Sequence, residues 1–152
     1  GYTDRFFPTI ASREGRAIAG LSMGGFGAMM LGLKHRKRFA AAVSHSGLFR
    51  LDKTDRVKGK GPEALATALR KREYNCHSLA TEARRARIRP AVRFDCGTED
   101  FLLEDNRKFR AHLRRIGLPH EYEEHPGGHT WDYWDLHIRE TLDFVMRHLK
   151  TG

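Results

Sequence analysis

Apolar residues along the chain fall into short runs separated by polar, glycine-containing segments. Three runs, Arg16 to Leu21 (RAIAGL), Phe39 to Ser44 (FAAAVS) and Ala91 to Cys96 (AVRFDC), are compact and bounded by turn-forming or polar residues, which predicts strands. A fourth, His120 to His125 (HEYEEH), alternates but is polar on both faces, which suits the edge of a sheet. Elsewhere the period is helical. Phe26, Met29, Met30 and Leu33 recur at spacings of three and four, predicting a helix from Met23 to about His35. Glu104 to Ile116 is amphipathic and closed by Gly117 and Pro119, a helix stop. Trp131 to Leu149 reads as a long terminal helix, and Pro62 to about Glu73 as another with proline in its first turn. Residues 1–15 read as an irregular lead-in and Leu51 to Gly61 as a loop. Strands and helices alternate throughout, the pattern of an α/β domain with a mostly parallel sheet.

At 152 residues the chain is one domain's worth of material, long enough for a core without disulfide or metal staples. No apolar run approaches the ~20 residues that a membrane-spanning helix needs, so no membrane partner is expected. The net charge is +9. Its basic clusters, Lys34 to Arg38, Arg70 to Arg72 and Arg84 to Arg89, carry no interleaved aromatics and match no nucleic-acid-binding motif. They read as solvated helix ends and loops, and no nucleic-acid partner is expected. Cys76 and Cys96 form no metal or redox motif; buried free thiols are the expected reading and a single disulfide the alternative. His120, His125 and His129 come nearest to a metal cluster, but they fall on a strand and a glycine-containing loop, so neither metal nor cofactor is expected.

One motif carries chemistry. Gly20-Leu21-Ser22-Met23-Gly24 matches G-x-S-x-G, and it lies between a predicted strand and a predicted helix, as a nucleophile elbow requires. A serine on so sharp a turn projects its Oγ beyond the strand end. Glycines two residues to either side, Gly20 and Gly24, relieve crowding between strand and helix. Gly24, Gly25, Gly27 and Gly32 crowd one helix although each interior glycine costs ~1 kcal/mol relative to alanine. That implies close approach of the helix backbone to its neighbours.

A serine nucleophile needs a base, and the base an orienting acid. In this architecture they follow in the order serine, acid, histidine, each beyond a later strand. Asp100 lies just past the third strand, with Asp95 and Glu99 as competitors; Asp95 falls within the strand and reads as structural. His129 lies past the fourth, after Gly127-Gly128, with His125 and His45 as competitors.

The run Arg16 to Ala28 (RAIAGLSMGGFGA) resembles the nucleophile segment of the "putative esterase" family of α/β-hydrolases. That family takes in S-formylglutathione hydrolases of the esterase D type, tributyrin-type esterases, feruloyl and acetylxylan esterases and mycolyl transferases. Cys96 to Leu102 (CGTEDFL) and Pro126 to Trp134 (PGGHTWDYW) resemble its acid and histidine motifs, in the family's order. The resemblance implies an α/β-hydrolase three-layer sandwich and a serine carboxylesterase acting on small-molecule acyl esters through an acyl-enzyme. It implies Ser22 as nucleophile, Asp100 as orienting acid, His129 as general base and the backbone N–H of Met23 as an oxyanion donor. Gly-Leu-Ser at the elbow is more similar to the tributyrin-type and general esterases than to the glutathione-thioester hydrolases.

The front of the chain departs from the family, whose members carry four strands and a second oxyanion-donating loop before the elbow strand. Here only residues 1–15 precede it. The expectation is one α/β-hydrolase domain over 1–152 whose N-terminal strands are missing, with 51–90 as a cap or lid insertion. The elbow strand is then left with a bare edge, covered by a missing N-terminal segment or by another copy. Losing one oxyanion donor typically costs 10²–10³ in turnover. A catalytically weak half-domain that docks on a partner or on itself is therefore the alternative function. The absence of a signal-peptide pattern suggests a cytoplasmic location, an expectation that a missing N-terminus would reopen towards secretion.

Overall fold

The computed structural model describes residues 1–49 and 74–150. Four strands, β1 (Ala17–Leu21), β2 (Ala41–His45), β3 (Ala91–Gly97) and β4 (Glu121–His125), form one parallel sheet in the order β1-β2-β3-β4. All neighbouring pairs are parallel. The connections carry α2 (Met23–Lys34), α3 (Cys76–Arg85) and α4 (Leu103–Ile116), and α5 (Trp131–His148) closes the chain. Each predicted strand is present within about two residues of its expected bounds. The polar β4 lies at an edge, as its sequence implies.

Two short elements stand where an irregular lead-in is expected: α1 (Tyr2–Phe6) and a 3-10 turn (Arg13–Gly15). Asp4 anchors α1, accepting hydrogen bonds from Arg16 (2.6 Å), the N-terminal amine (2.9 Å) and Thr9 (2.8 Å). Those donors, Arg16 first, hold its carboxyl well below the usual range. The second connection also differs from expectation. The predicted helix over Pro62 to Glu73 lies outside the described residues, whereas α3 was not anticipated. Cys76, Leu79, Ala80 and Ala83 form its buried stripe, and Asn75 caps it by accepting from Ser78 N–H at 3.0 Å. Of the segment expected to form a cap, 51–73 is not described, while α3 packs into the core.

The sheet is covered on both faces. On one, Met29 and Leu33 of α2, Leu79 and Ala83 of α3 and Phe109 and Leu113 of α4 bury against Ala42, Val92 and Phe94. On the other, Phe144 of α5 packs on Ala41 and Val43. The period of two along β3 thus sends Val92 and Phe94 into the larger core, and Arg93 and Asp95 towards α5. Cys76 and Cys96 are free, buried thiols. Gly117, at φ 68°, ends α4, with Leu118 N–H reaching back to Leu113 O at 3.0 Å. Lys34 to Arg38 and Arg84–Arg85 sit at the C-terminal ends of α2 and α3, where cations suit the helix dipole. No helix among the described residues is long and apolar enough to cross a membrane.

Candidate active site

Parallel strands put their C-terminal ends on one side of the sheet, and loops leaving that side converge. Ser22 joins β1 to α2 at φ 53°, ψ −121°, a strained conformation for a non-glycine residue and worth about 1–3 kcal/mol. Two backbone bonds hold it: Ser22 N–H donates to His45 O (2.8 Å), and Ser22 O accepts from Phe26 N–H (3.0 Å). The glycines around it divide into two kinds. A Cβ at Gly20 would collide with the Gly24 carbonyl, and one at Gly25 would collide with Ser44 Oγ. A Cβ on Gly24 itself would meet nothing within 4 Å, nor would one on Gly27. The expectation that Gly24 relieves crowding is therefore corrected. Its backbone makes the close approach, and the hydrogen that matters is on Gly20.

Beyond β3 and β4 two loops are tied to each other. Thr98 N–H donates to His125 O (2.8 Å) and Glu99 N–H to Gly127 O (3.0 Å), with Gly127 at φ 126°. This brings Asp100 beneath His129. His129 Nδ1 lies 2.9 Å from Asp100 Oδ2, and His129 Nε2 lies 2.8 Å from Ser22 Oγ. The other carboxylate oxygen of Asp100 accepts from Leu102 N–H at 2.8 Å, and its side chain is fully buried. An ionised Asp100 accepting from Nδ1–H leaves Nε2 with its lone pair towards the serine hydroxyl. The three leading sequence candidates are thus brought together. Met23, as the first residue of α2, presents a backbone N–H without an intrahelical acceptor beside Ser22.

Two aromatic rings contact the imidazole. Phe101 lies 4.6 Å from the His129 ring, and Trp134 meets it edge-on at 4.9 Å. Trp134 is itself fixed by donating Nε1–H to Ser46 Oγ (3.3 Å), with Ser46 at φ 48°. Met23 next to Ser22, Phe101 against His129 and Trp131 against Trp134 are exposed apolar side chains. Behind the site, burial, and next the charge of Asp100, push the Cys96 thiol far above its ordinary pKa. A buried thiol held so high is protonated and inert.

The competing candidates lie elsewhere. His45 and Asp95 pair with each other (Nδ1 to Oδ1, 3.0 Å) in a buried network. Thr141 Oγ1 lies 2.7 Å from His45 Nε2, and Tyr133 O–H donates to Asp95 at 3.0 Å. Burial, then the charge of Asp95, raises the Tyr133 phenol well above its usual pKa. This network, which the sequence reading missed, pins α5 to β2 and β3. Its sequence signal is slight: Asp95 stands between apolar Phe94 and Cys96 in β3, and His45 closes β2 after small or apolar residues. Glu99 is exposed and accepts from Thr98. His120 bonds Leu118 O (2.8 Å), and His125 faces Glu123 and Glu140. His120, His125 and His129 therefore do not gather.

The "Putative esterase" family model matches residues 3–145. An acetyl esterase of Caldicellulosiruptor saccharolyticus is 29% identical over 159 residues, which is 96% of this chain and 60% of that protein. Among solved structures, a ferulic acid esterase superposes with a TM-score of 0.80 at 33% identity, covering 96% of this chain and 56% of its own. An S-formylglutathione hydrolase of Staphylococcus aureus gives 0.77 at 30% identity, covering 95% and 56%. The chain spans 60% or less of the length of these proteins.

Proposed function

Because the chain belongs to the "Putative esterase" family, we propose that it carries the catalytic Ser-His-Asp triad of a serine carboxylesterase that hydrolyses small acyl esters. Its fold is that of the α/β-hydrolases. One observation carries the reading: His129 bridges the hydroxyl of an elbow serine and a buried carboxylate. In the proposed cycle His129 Nε2 accepts the Ser22 hydroxyl proton as Oγ attacks the ester carbonyl. Asp100 holds the tautomer and stabilises the imidazolium. The Met23 N–H donates to the developing oxyanion. His129 then returns the proton to the departing alcohol, leaving Ser22 acylated, and a water activated by the same imidazole releases the acid. The test is p-nitrophenyl acetate turnover by the wild-type chain and by Ser22→Ala. Loss of turnover in the variant is expected, and retained turnover removes Ser22 from the mechanism.

A second reading is favoured by the free edge of β1. Among the described residues β1 pairs on one side only, with β2. Beside it a groove of about 350 Å³ runs between Ala19–Leu21 and Trp131, Trp134 and Ile138 of α5. Exposed Leu142 and Met146 continue the apolar stripe along that helix. In this reading the chain is a half-domain that docks through β1 on further polypeptide, a second copy or an additional segment, and turns over efficiently only when covered. Negligible turnover with concentration-dependent association supports it; full activity from a monomer refutes it.

A further inference from the structure

His125, His137 and Glu140 each turn one donor atom towards a common point, and these atoms lie within 4.8 Å of one another. His137 and Glu140 sit three residues apart on α5, so one helix face presents both. His125 closes β4 opposite them. The three side chains already meet: His125 Nε2 is 3.2 Å from Glu140 Oε2, and His137 Nδ1 is 3.1 Å from Glu140 Oε1, contacts that a bound ion would replace. Glu123 adds a second carboxylate 3.1 Å from His125 Nε2.

Two features of the cluster make sense if it holds a cation. The first is charge. The buried guanidinium of Arg93 donates to both Glu123 (3.0 Å) and Glu140 (2.7 Å). Glu121, 3.9 Å from Arg93, is itself bound by Arg147 at 2.8 Å. Two carboxylates thus share one guanidinium and leave a negative charge over. The second is the histidine pair, whose rings stack 4.0 Å apart and 14° from parallel. The stack sets the two imidazoles side by side against Glu140, each with a ring nitrogen near one of its oxygens. Imidazole nitrogen is the commonest protein ligand for such an ion. Arg93, holding Glu140, supplies the outer support that orients a ligating carboxylate.

We infer that His125, His137 and Glu140 form a binding site for a divalent transition-metal ion of the zinc class, separate from the Ser22–His129–Asp100 cluster. Two imidazoles and one carboxylate suit zinc and disfavour magnesium or calcium, which take oxygen ligands. Three protein ligands leave a fourth position for water or Glu123. The side chains of His125 and Glu140 are 24% and 37% exposed, which gives the ion a way in. Seating it ~2.0–2.1 Å from both ring nitrogens requires His125, the more exposed ring, to rotate out of the stack. The consequence is local. The loop bearing His129 runs from His125 to the start of α5 at Trp131, so the ion would tie the β4 end of that loop to the body of α5, at His137 and Glu140. His125, His137 and Glu140 are positioning residues in this account and touch no substrate.

The test is calorimetric titration of the full chain with zinc chloride at neutral pH, with visible absorption of the cobalt(II)-loaded protein as a report on ligand geometry. Wild type and His129→Ala should each bind one equivalent and give the intense bands of low-coordinate cobalt. His125→Ala and the near-isosteric Glu140→Gln each remove a direct ligand and should weaken binding by at least the roughly hundredfold that losing an outer partner can cost. Far-UV circular dichroism identifies any variant that has lost its fold, and the comparison then rests on the other. The absence of saturable binding in wild type overturns the proposal. So does binding that survives both ligand substitutions, or binding that is lost in His129→Ala, which would put the ion at the nucleophile's base.

Discussion

Gly32→Ala and Gly27→Ala lie on the same helix and differ in what the new methyl group meets. At Gly32 the added Cβ falls 2.5 Å from Ala42 Cβ and 3.4 Å from Ile18 Cγ2. Two carbons prefer about 3.5–4.0 Å, and Ala42 is fully buried with no torsion through which its Cβ could move aside. The relief must come from α2 lifting off β2 by roughly 1 Å, and overpacking of that kind costs about 1–3 kcal/mol. At Gly27 nothing lies within 4 Å. Both substitutions gain the same helix propensity of about 1 kcal/mol, so that term cancels between them. Gly32→Ala should therefore be about 1–3 kcal/mol less stable than Gly27→Ala, equivalent to roughly 2–12 °C in a domain of this size. Gly27→Ala alone should be somewhat more stable than wild type. Matched urea and thermal unfolding curves read the difference. Equal stabilities, or the reverse order, would show that glycine is not required by close packing of the elbow helix on the sheet.

Asp100→Asn keeps the side-chain shape but removes the charge and the preference for the reactive imidazole tautomer; kcat should fall about 10⁴-fold with the fold intact, measured by ester hydrolysis alongside circular dichroism. The hydrogen bonds from Arg93 and Arg107 hold Glu123 and Glu124 below the ordinary glutamate pKa. Their stabilisation is complete above about pH 4.3, the unfolded value, and is lost as pH falls through the lower folded values. Melting temperatures should therefore drop on acidification below that point, and the drop should be smaller in Glu124→Gln. Burial, then Asp105 for Cys76 and Asp100 for Cys96, raises both thiols far above their usual pKa. Native protein should react with a disulfide reagent only at the rate of unfolding, and denaturant should release both thiols at once.

Much of this arrangement is legible from residue patterns because two periods are kept faithfully. Runs such as RAIAGL and AVRFDC mark strands, and the motif-bearing turns fall directly after them, so Ser22, Asp100 and His129 can be ordered along the sheet before any distance is known. Other features are hidden by chemistry that sequence encodes ambiguously. The stripe Cys76, Leu79, Ala80 and Ala83 of α3 runs straight into Arg84–Arg85, and the charge masks a helix that the spacing would have supported. In β3, Arg93 and Asp95 alternate with apolar residues as they would in a strand with one wet face. Both are buried, because Glu123, Glu140, Tyr133 and His45 supply partners from elements far away in sequence. Histidine is ambiguous for the same reason. His120, His125 and His129 look grouped along the chain, yet the fold sends each to a different neighbour, and His125 finds His137 instead. Among the glycines, composition alone treats Gly24 and Gly25 alike, whereas only the second faces a side chain across the sheet.

The most direct test of the central claim is covalent. A fluorophosphonate probe requires a nucleophilic serine, and the geometry around Ser22 Oγ predicts a single adduct per chain. Peptide mapping should locate it on Ser22 in the wild-type protein, with labelling lost in Ser22→Ala and strongly slowed in His129→Ala. An adduct at another serine, or undiminished labelling of the Ser22→Ala protein, would contradict the assignment of Ser22, His129 and Asp100 as the reactive centre.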